Sequence, residues 1–509
     1  MKIGIGQINS IIGDLEGNVA RCEDAIRSAA EQGAELVALP EMILSGYPPR
    51  DMLFNDSFVS GVQAALDDLA ERVSDYPPAI VGAPVRAAGP PAFNHPNLLN
   101  AALLLHEGRS RLVAAKRLLP SYDVFYEARW FVPGEALPPI DVSGTSVGVL
   151  VCEDLWDEEY NSHPGGDLLA AGAELLICIS GSPFRHEILD GRIHHARRQA
   201  ADVVYVNAVG ANDEIIFDGH SFVVSAAGQV TSQLPGFVEQ VKVVDTNRSG
   251  SWKVKPDPQR EIFQALTLGI HDFAKKNRLP GVVVGLSGGI DSAVVAVLAT
   301  GALGPQNVLG VAIPSRYSDL RSTESARELA ANLEIAFEVV DLDSLHQAAE
   351  ASLPHLEGGT AAENIQARLR SMILMSFVNQ RGGFLLNTSN KTELSLGYGT
   401  LYGDLSGALW PIADLTKMQV YDLARWMNRD EDIIPAFMID RPPSAELKAD
   451  QVDPFDYPTL APQLEALIQA DRWSPAIASA QHKRWQSGVI LKLSERAFGT
   501  GRLMPITRR

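Results

Sequence analysis

A chain of 509 residues, 46% hydrophobic and 21% charged, exceeds what one hydrophobic core supports and implies roughly two to four globular domains. A formal net charge of −19 argues against nucleic acid or an anionic membrane surface as the main partner, while a small anion stays open because local amides and a few cations override the global field. Only three cysteines occur (Cys22, Cys152 and Cys178), "MKIGIGQINS" lacks the basic and apolar regions of a secretory signal, and no apolar run approaches the ~20 residues that span a bilayer, so a reduced, cytoplasmic protein is expected.

Residues 1–245 alternate β-rich runs with amphipathic helical stretches. The strand "KIGIGQI" precedes a helix over "GNVARCEDAIRSAAEQG" and the strand "ELVAL"; later strands are "AIVGAPV", "NAALLLH", "RLVAAK", "SVGVLVC", "ELLICIS" and "VVYVNAVG". The neighbours in "NAALLLHEGRSRLVAAK" read as an antiparallel pair, and a layered α/β sandwich is expected. Residues 246–258, "TNRSGSWKVKPDP", read as a linker. Residues 259–509 start a second alternation: the helix "QREIFQALTLGIHDFAKKN", then strands in "GVVVGLS", "NVLGVAIPS", "AFEVVDL" and "GFLLNTS". Their spacing predicts a doubly wound parallel sheet, with an irregular, Pro-richer tail after about residue 440.

Glu41, Lys116 and Cys152 each fall at the end of a predicted strand, where side chains are rigidly mounted and can converge on one rim of a sheet. Together they suit nucleophilic chemistry: a thiolate attacks a carbonyl or nitrile carbon, a carboxylate moves protons and an ammonium steadies the oxyanion. Taken singly, a cysteine placed like Cys152 is more often a small buried hydrophobe, and residues such as Glu41 and Lys116 are more often solvated charges.

The segments "ALPEMILSGYPPRD", "AKRLLPSYDVFYEARWFVPG" and "VLVCEDLW" resemble the nitrilase (carbon–nitrogen hydrolase) superfamily, and more narrowly the glutaminase domain of glutamine-dependent NAD synthetases. The resemblance implies an N-terminal α-β-β-α sandwich over 1–245. It also implies Cys152 as nucleophile, Glu41 as general base, Lys116 as oxyanion stabiliser, Glu127 as a second glutamate ordering the site, and Tyr122 and Ser182 as contacts to L-glutamine. One position departs: the family's basic residue six places after the serine of its "SP" pair is Ile188 here, and Arg185 or His186 are the candidates to replace it.

"GLSGGIDS", residues 285–292, follows an apolar run and opens a helical one, so it reads as an anion-binding turn. It lacks the Lys-Ser/Thr ending of a Walker A loop, and Gly285, Gly288 and Gly289 do not have dinucleotide-fingerprint spacing. Ser287 and Ser292 can donate to phosphate oxygens, and Asp291 beside phosphate implies a bridging Mg²⁺. The alternative is a glycine turn with Asp291 as an early helix residue.

"SGGIDS" resembles the pyrophosphate loop of the N-type ATP pyrophosphatases, an adenine nucleotide alpha hydrolase-like fold. "NIQARLR", "NTSNKTELSLGYGTLYGD", "PIADLTKMQVYDLARWMN", "RPPSAELKADQVD" and "HKRWQSGVILKLSERAFGTGRLMPI" extend the likeness to NAD synthetases across 259–509. The resemblance implies ATP binding by Gly285, Leu286, Ser287, Gly288, Gly289, Ile290, Asp291 and Ser292 with Thr388 and Lys417. It implies Mg²⁺ on Asp291 and Glu393, and deamido-NAD at Asn364, Arg370, Glu393, His482 and Lys483. Leu401 and Ser444 replace a lysine and a threonine of the ammonia-dependent synthetases; Trp426 and Trp485 read as packing residues.

The implied activity is hydrolysis of glutamine in the first domain and ATP-driven amidation of deamido-NAD in the second, in a homo-oligomer. The alternatives are an amidotransferase acting on another carboxylate, a nucleotide-binding regulator without turnover, or a nitrilase with an inert partner domain.

Overall fold

Strands that carry apolar side chains on both faces need a packed layer on each side. The computed structural model describes residues 1–89, 94–247, 252, 257–353, 358–448, 451–499 and 501, and its chain divides into two compact units, Met1–Pro256 and Asp257–Arg509. Most of the expected linker at 246–258 lies outside the described residues, as do parts of "RPPSAELKADQVD" and "HKRWQSGVILKLSERAFGTGRLMPI".

The strands of the first unit are β1 (Lys2–Gln7), β2 (Leu36–Ala38), β3 (Ala79–Arg86), β4 (Leu98–His106), β5 (Arg109–Ala115), β6 (Ile140–Val142) and β7 (Thr145–Val151). They continue with β8 (Leu175–Ser180), β9 (Asp202–Asn207), β10 (Val209–Asn212), β11 (Ile215–Asp218), β12 (Phe222–Val224), β13 (Val230–Gln233) and β14 (Gln240–Asp245). Two six-stranded sheets form, ordered β14-β1-β2-β3-β4-β5 and β13-β12-β9-β8-β7-β6. Alternate residues of one sheet (Ile3, Ile5, Leu36, Val113) pack against alternate residues of the other (Val147, Val149, Ile177, Val204). The residues between them face outward. Val37, Val81 and Leu103 lie under α1 (Leu15–Glu31) and α2 (Asp56–Arg72), and Leu176 and Tyr205 under α3 (Pro164–Ala170) and α4 (Ile188–Arg198). The unit is an α-β-β-α sandwich. Cys22 and Cys178 are buried in its two outer layers.

β4 and β5 form the antiparallel pair read from the sequence, with Ala101 opposite Ala115 and His106 opposite Arg109. The run "VVYVNAVG" is not one strand: β9 stops at Asn207, and β10 leaves to pair with β11 in a separate ribbon. Asn207 causes the break, because its amide donates to the carbonyls of Ser182 and Gly219 and holds the chain at the corner.

The second unit contains β15 (Val282–Gly285), β16 (Val308–Ala312), β17 (Ala336–Val339), β18 (Phe384–Leu386), β19 (Leu409–Trp410) and β20 (Val489–Ile490), all parallel, in the order β17-β16-β15-β18-β19-β20. Its helices include α5 (Pro258–Lys276), α6 (Ile290–Leu303), α7 (Leu320–Asn332), α8 (Asp343–Ser352), α9 (Gly359–Arg381), α10 (Lys391–Leu396) and α11 (Lys417–Met427). The chain winds outward from β15 to β17 and then returns to place β18 on the other side of β15. The crevice beyond the carboxyl ends of β15 and β18 is therefore a topological switch point.

The tail is more regular than its prolines suggested, with helices at Tyr457–Gln469, Pro475–Ser479 and Gln481–Arg484. Pro458 stands in a first helical turn, where a missing N–H costs nothing, and Leu464 and Ile468 close over Trp410. Among the described residues no helix is long and apolar enough to cross a membrane.

Gly82 on β3 has the backbone of the turn after β2 lying against it: a Cβ there would come within 2.4 Å of Met42 N and 2.7 Å of Glu41 Cα. Gly82→Ala is expected to destabilise the first unit by about 1–3 kcal/mol, read as a lower urea midpoint, since the clash is with backbone that has no rotamer to change.

Candidate active sites

Glu41, Lys116 and Cys152 stand just beyond β2, β5 and β7, so the two facing sheets deliver them to one end of the sandwich. Lys116 Nζ lies 3.0 Å from Glu41 Oε1 and 2.9 Å from Glu127 Oε1. Asn100 Nδ2 donates to Glu41 Oε1 at 2.6 Å, the Gly181 amide to Glu41 Oε2 at 2.7 Å, and the Tyr47 hydroxyl to Glu127 Oε1 at 2.8 Å. Glu41, Lys116 and Glu127 are each no more than 2% exposed. Burial disfavours the Lys116 ammonium, but Glu127 and Glu41 outweigh it and hold its pKa well above the usual lysine value.

Cys152 is not itself a strand residue. It opens a short 3₁₀ turn with φ of +45°, a left-handed conformation that a side chain adopts only when its surroundings impose it. Asp154 helps impose it: its carboxylate accepts from the amides of Arg117 and Leu118 at 2.9 and 3.0 Å, tying the turn after β7 to the turn after β5. Burial, then the Glu41 carboxylate, push the Cys152 thiol well above its ordinary pKa, with Lys116 opposing. The thiol is therefore protonated at neutral pH, and the thiolate that attack requires is not the resting form.

Tyr122 is half exposed and donates to Glu153 at 3.1 Å, as Tyr160 does at 2.9 Å. Ser182 is buried at the turn after β8, its amide donating to Asn207 Oδ1 at 2.9 Å. Ile188 is buried as the first residue of α4; His186 is exposed beside Glu187, and Arg185 is half-buried. Sequence reading missed Glu153, Asn100, Tyr47 and Arg192. Asn100 gave a signal, as the lone polar residue in "LLNAALLL".

In the second unit, residues 285–292 run from the end of β15 into α6, and a cavity of about 570 Å³ opens beside them at the switch point. Gly288, at φ of +78°, has Ser322 backbone where a Cβ would be, within 2.5 Å. The two serines differ. Ser292 donates to the Gly289 carbonyl at 2.9 Å and accepts from the Ser287 amide at 3.3 Å. Ser292 thus braces the turn from within the loop and also lines the cavity; Ser287 is exposed.

Lys417 Nζ contacts Asp291 Oδ2 and lies 3.9 Å from Glu393 Oε1. Asn390 caps α10 in a reciprocal pair with Glu393 and donates to Asp291 Oδ1 at 3.1 Å, so β18 and β15 meet through their following turns. Burial, then Asp291, raise the Glu393 carboxyl to about 8. Thr388, Asn364, Arg370 and Lys483 also line the cavity. Arg370 donates to the Ile313 carbonyl at 3.1 Å, Asn364 accepts from Thr400 at 2.7 Å, and Lys483 donates to the Gly397 and Gly399 carbonyls at 2.6 Å.

His482 does not join them. It is exposed, with Nδ1 2.8 Å from the Ser479 carbonyl, because neighbouring helix positions diverge by about 100° and Lys483 takes the inward one. Ser444 keeps a bracing role, its hydroxyl donating to the Gln451 carbonyl at 2.5 Å, and Leu401 joins the apolar cluster around Leu394 and Leu405. Trp426 packs on Phe263 and under Arg429.

Residues 2–254 match the Carbon-nitrogen hydrolase family and residues 262–496 the NAD synthase family. The chain is 36% identical to the Glutamine-dependent NAD(+) synthetase of Synechocystis sp., covering 99% of this chain and 98% of that protein. It is 37% identical to the one of Rhodobacter capsulatus, covering 100% and 98%. The glutamine-dependent NAD+ synthetase of Acinetobacter baumannii, solved in complex with adenosine diphosphate, matches with a TM-score of 0.81 at 28% identity over 99% of this chain and 98% of that one. The one of Cytophaga hutchinsonii shares the fold, with a TM-score of 0.82 at 21% identity over 99% and 97%. Both halves are thus matched, in order and over full length, and the chain belongs to the glutamine-dependent NAD(+) synthetases, ATP-using ligases with a carbon–nitrogen hydrolase domain and an NAD synthetase domain.

Proposed function

We propose that residues 1–245 release ammonia from L-glutamine at Cys152 and that residues 259–509 use it, with ATP, to amidate deamido-NAD. The observation that carries the first half is the buried Lys116, held between Glu41 and Glu127 beside Cys152. The Cys152 sulfur attacks the side-chain amide carbon as Glu41 takes the thiol proton, which suits a thiol that burial keeps protonated until substrate arrives. Lys116 stabilises the oxyanion, and Glu127 holds Lys116 in place. Glu41 returns the proton to the departing nitrogen; ammonia leaves, and water then cleaves the thioester to give glutamate. Ser182 and Tyr122 contact the amino-acid end, and the Glu153 carboxyl group, between two tyrosine hydroxyls, suits the substrate ammonium.

In the second unit the nicotinate carboxylate of deamido-NAD attacks the α-phosphorus of ATP and displaces pyrophosphate; ammonia then attacks the acyl carbon, and AMP and a proton leave. The amides of residues 285–292 receive phosphate oxygens at the mouth of α6, with Thr388 and Lys417. Among the described residues no cluster of three or more metal-ligating side chains occurs, and the set that would hold a cation is the two carboxylates of Asp291 and Glu393. That sparse, all-oxygen set fits Mg²⁺, which is completed by phosphate and water and would neutralise charge on the pyrophosphate. Asn364, Arg370 and Lys483 line the same cavity and suit deamido-NAD; His482 is left out. Three free cysteines fit a cytoplasmic location.

Cys152→Ala is expected to lower glutamine-driven NAD synthesis by about 1,000-fold or more while ammonia-driven synthesis persists. Loss of both activities, or of neither, contradicts the division of labour. Asp291→Asn should do the reverse, cutting ammonia-driven synthesis by about 100-fold or more with glutaminase turnover retained. Because the Cys152 pKa is raised, the thiolate fraction is small at neutral pH and grows as pH rises. Iodoacetamide labelling of Cys152 without glutamine should therefore be slower than that of a free thiol at pH 7.5 and still be climbing at pH 9; a plateau below pH 8 would show a preformed ion pair.

A further inference from the structure

Ile188 leaves the first turn of α4 without a cation, but Arg192 lies one turn further on the same helical face and is fully buried. Arg192 Nε donates to Ser182 Oγ at 3.1 Å. One terminal nitrogen donates to the Ser182 carbonyl at 2.8 Å, the Pro183 carbonyl at 3.1 Å and Asp218 Oδ1 at 2.8 Å; the other donates to Asp218 Oδ2 at 2.9 Å. Asp218 also faces His220 Nδ1 at 3.0 Å, and the Arg192 charge outweighs burial to hold its carboxyl down at about 2. The pair is therefore ionised and rigid.

This arrangement has a consequence for Ser182. A hydroxyl has one proton, and an oxygen that accepts from a guanidinium must point that proton elsewhere. Among the described residues the Ser182 hydroxyl donates to none of its neighbours, while its amide and carbonyl are both fixed by Asn207. The preceding amide, of Gly181, serves Glu41. Ser182 thus carries a donor with no acceptor, one residue from the group that touches the general base.

We propose that Arg192 is a positioning residue that fixes Ser182 as a hydrogen-bond donor to the α-carboxylate of glutamine, taking over what a basic side chain at position 188 would do directly. The proposal rests on the reading of Ser182 as a glutamine contact. The carboxylate is the end of the substrate that only accepts, so a hydroxyl locked as donor discriminates for it.

The test compares glutamine with 4-aminobutanamide, which keeps the amide and the amine and lacks the carboxylate. Arg192→Gln combined with Asp218→Asn leaves no unpaired buried charge. It should raise KM for glutamine about 10-fold or more with kcat within about threefold, and leave kcat/KM for 4-aminobutanamide and the iodoacetamide labelling rate of Cys152 unchanged. Adding Ser182→Ala should cause no further loss, because Arg192 acts through that hydroxyl. Equal losses on both amides would reduce Arg192 to a brace for the turn and overturn the proposal. So would an unchanged glutamine KM, with Arg185→Gln raising it instead. If the double variant does not fold, Arg192→Lys, which keeps the charge and loses Nε, decides by the same comparison. Ser182→Ala alone with an unchanged glutamine KM would sink the reading of Ser182 itself; Ser182→Ala effective with Arg192 silent would sink only the proposal.

Discussion

An ammonium taken out of water costs several kcal/mol unless its counter-charges come with it. Lys116 meets that requirement with Glu41 on one side and Glu127 on the other, and the glutaminase unit is arranged so that both arrive. Glu41 comes from the turn after β2, Lys116 from the end of β5 and Glu127 from a separate 3₁₀ turn. None of the three can be buried unless the others are in place, so the strand register and the charge triad depend on each other. Gly82 lets the Glu41 turn lie on the sheet, and Asp154 links the turns after β5 and β7, so the same geometry that satisfies Lys116 presents Cys152.

The synthetase unit applies the same rule to a different end. Lys417 also sits with two carboxylates, Asp291 and Glu393, but these line a cavity instead of being sealed over. Under the roles proposed, ligand binding re-sorts the partners: polyphosphate takes Lys417, and a cation takes the carboxylates. In the first unit a closed triad keeps its geometry through the reaction; in the second, an open one exchanges contacts with the substrate. Burial sets which behaviour is available, since only the open set can trade a protein counter-ion for a ligand.

The sequence made some features legible and hid others for identifiable reasons. Strands and helices announced themselves through periodicity; Cys152, Glu41 and Lys116 stand at strand ends, but it was the family resemblance of the segments around them that singled them out. The break after Asn207 was hidden because side-chain hydrogen bonds of Asn207 hold the corner, in the middle of a run with no Gly or Pro at that point. The helix at Tyr457–Gln469 was obscured by Pro458, which its first turn tolerates, and by Pro462, which stands inside it. The bond from Ser292 to the Gly289 carbonyl was hidden because a hydroxyl in a loop has no visible partner until the fold supplies one. His482 looked like its neighbour Lys483 because adjacency in sequence says nothing about which side of a helix faces a cavity.

By itself, then, the sequence determined the fold class of each unit and the chemical identity of the groups that gather in it, because those follow from local periodicity and from residue types set in recognisable segments. It did not determine partnership. That Lys116 has two carboxylates, that Cys152 rests as a thiol, that the switch point falls between β15 and β18, and that Arg192 stands behind Ser182 were decided by tertiary structure alone. Each depends on distances between residues far apart in the chain and on how much water is excluded between them, and neither quantity is written in any single segment.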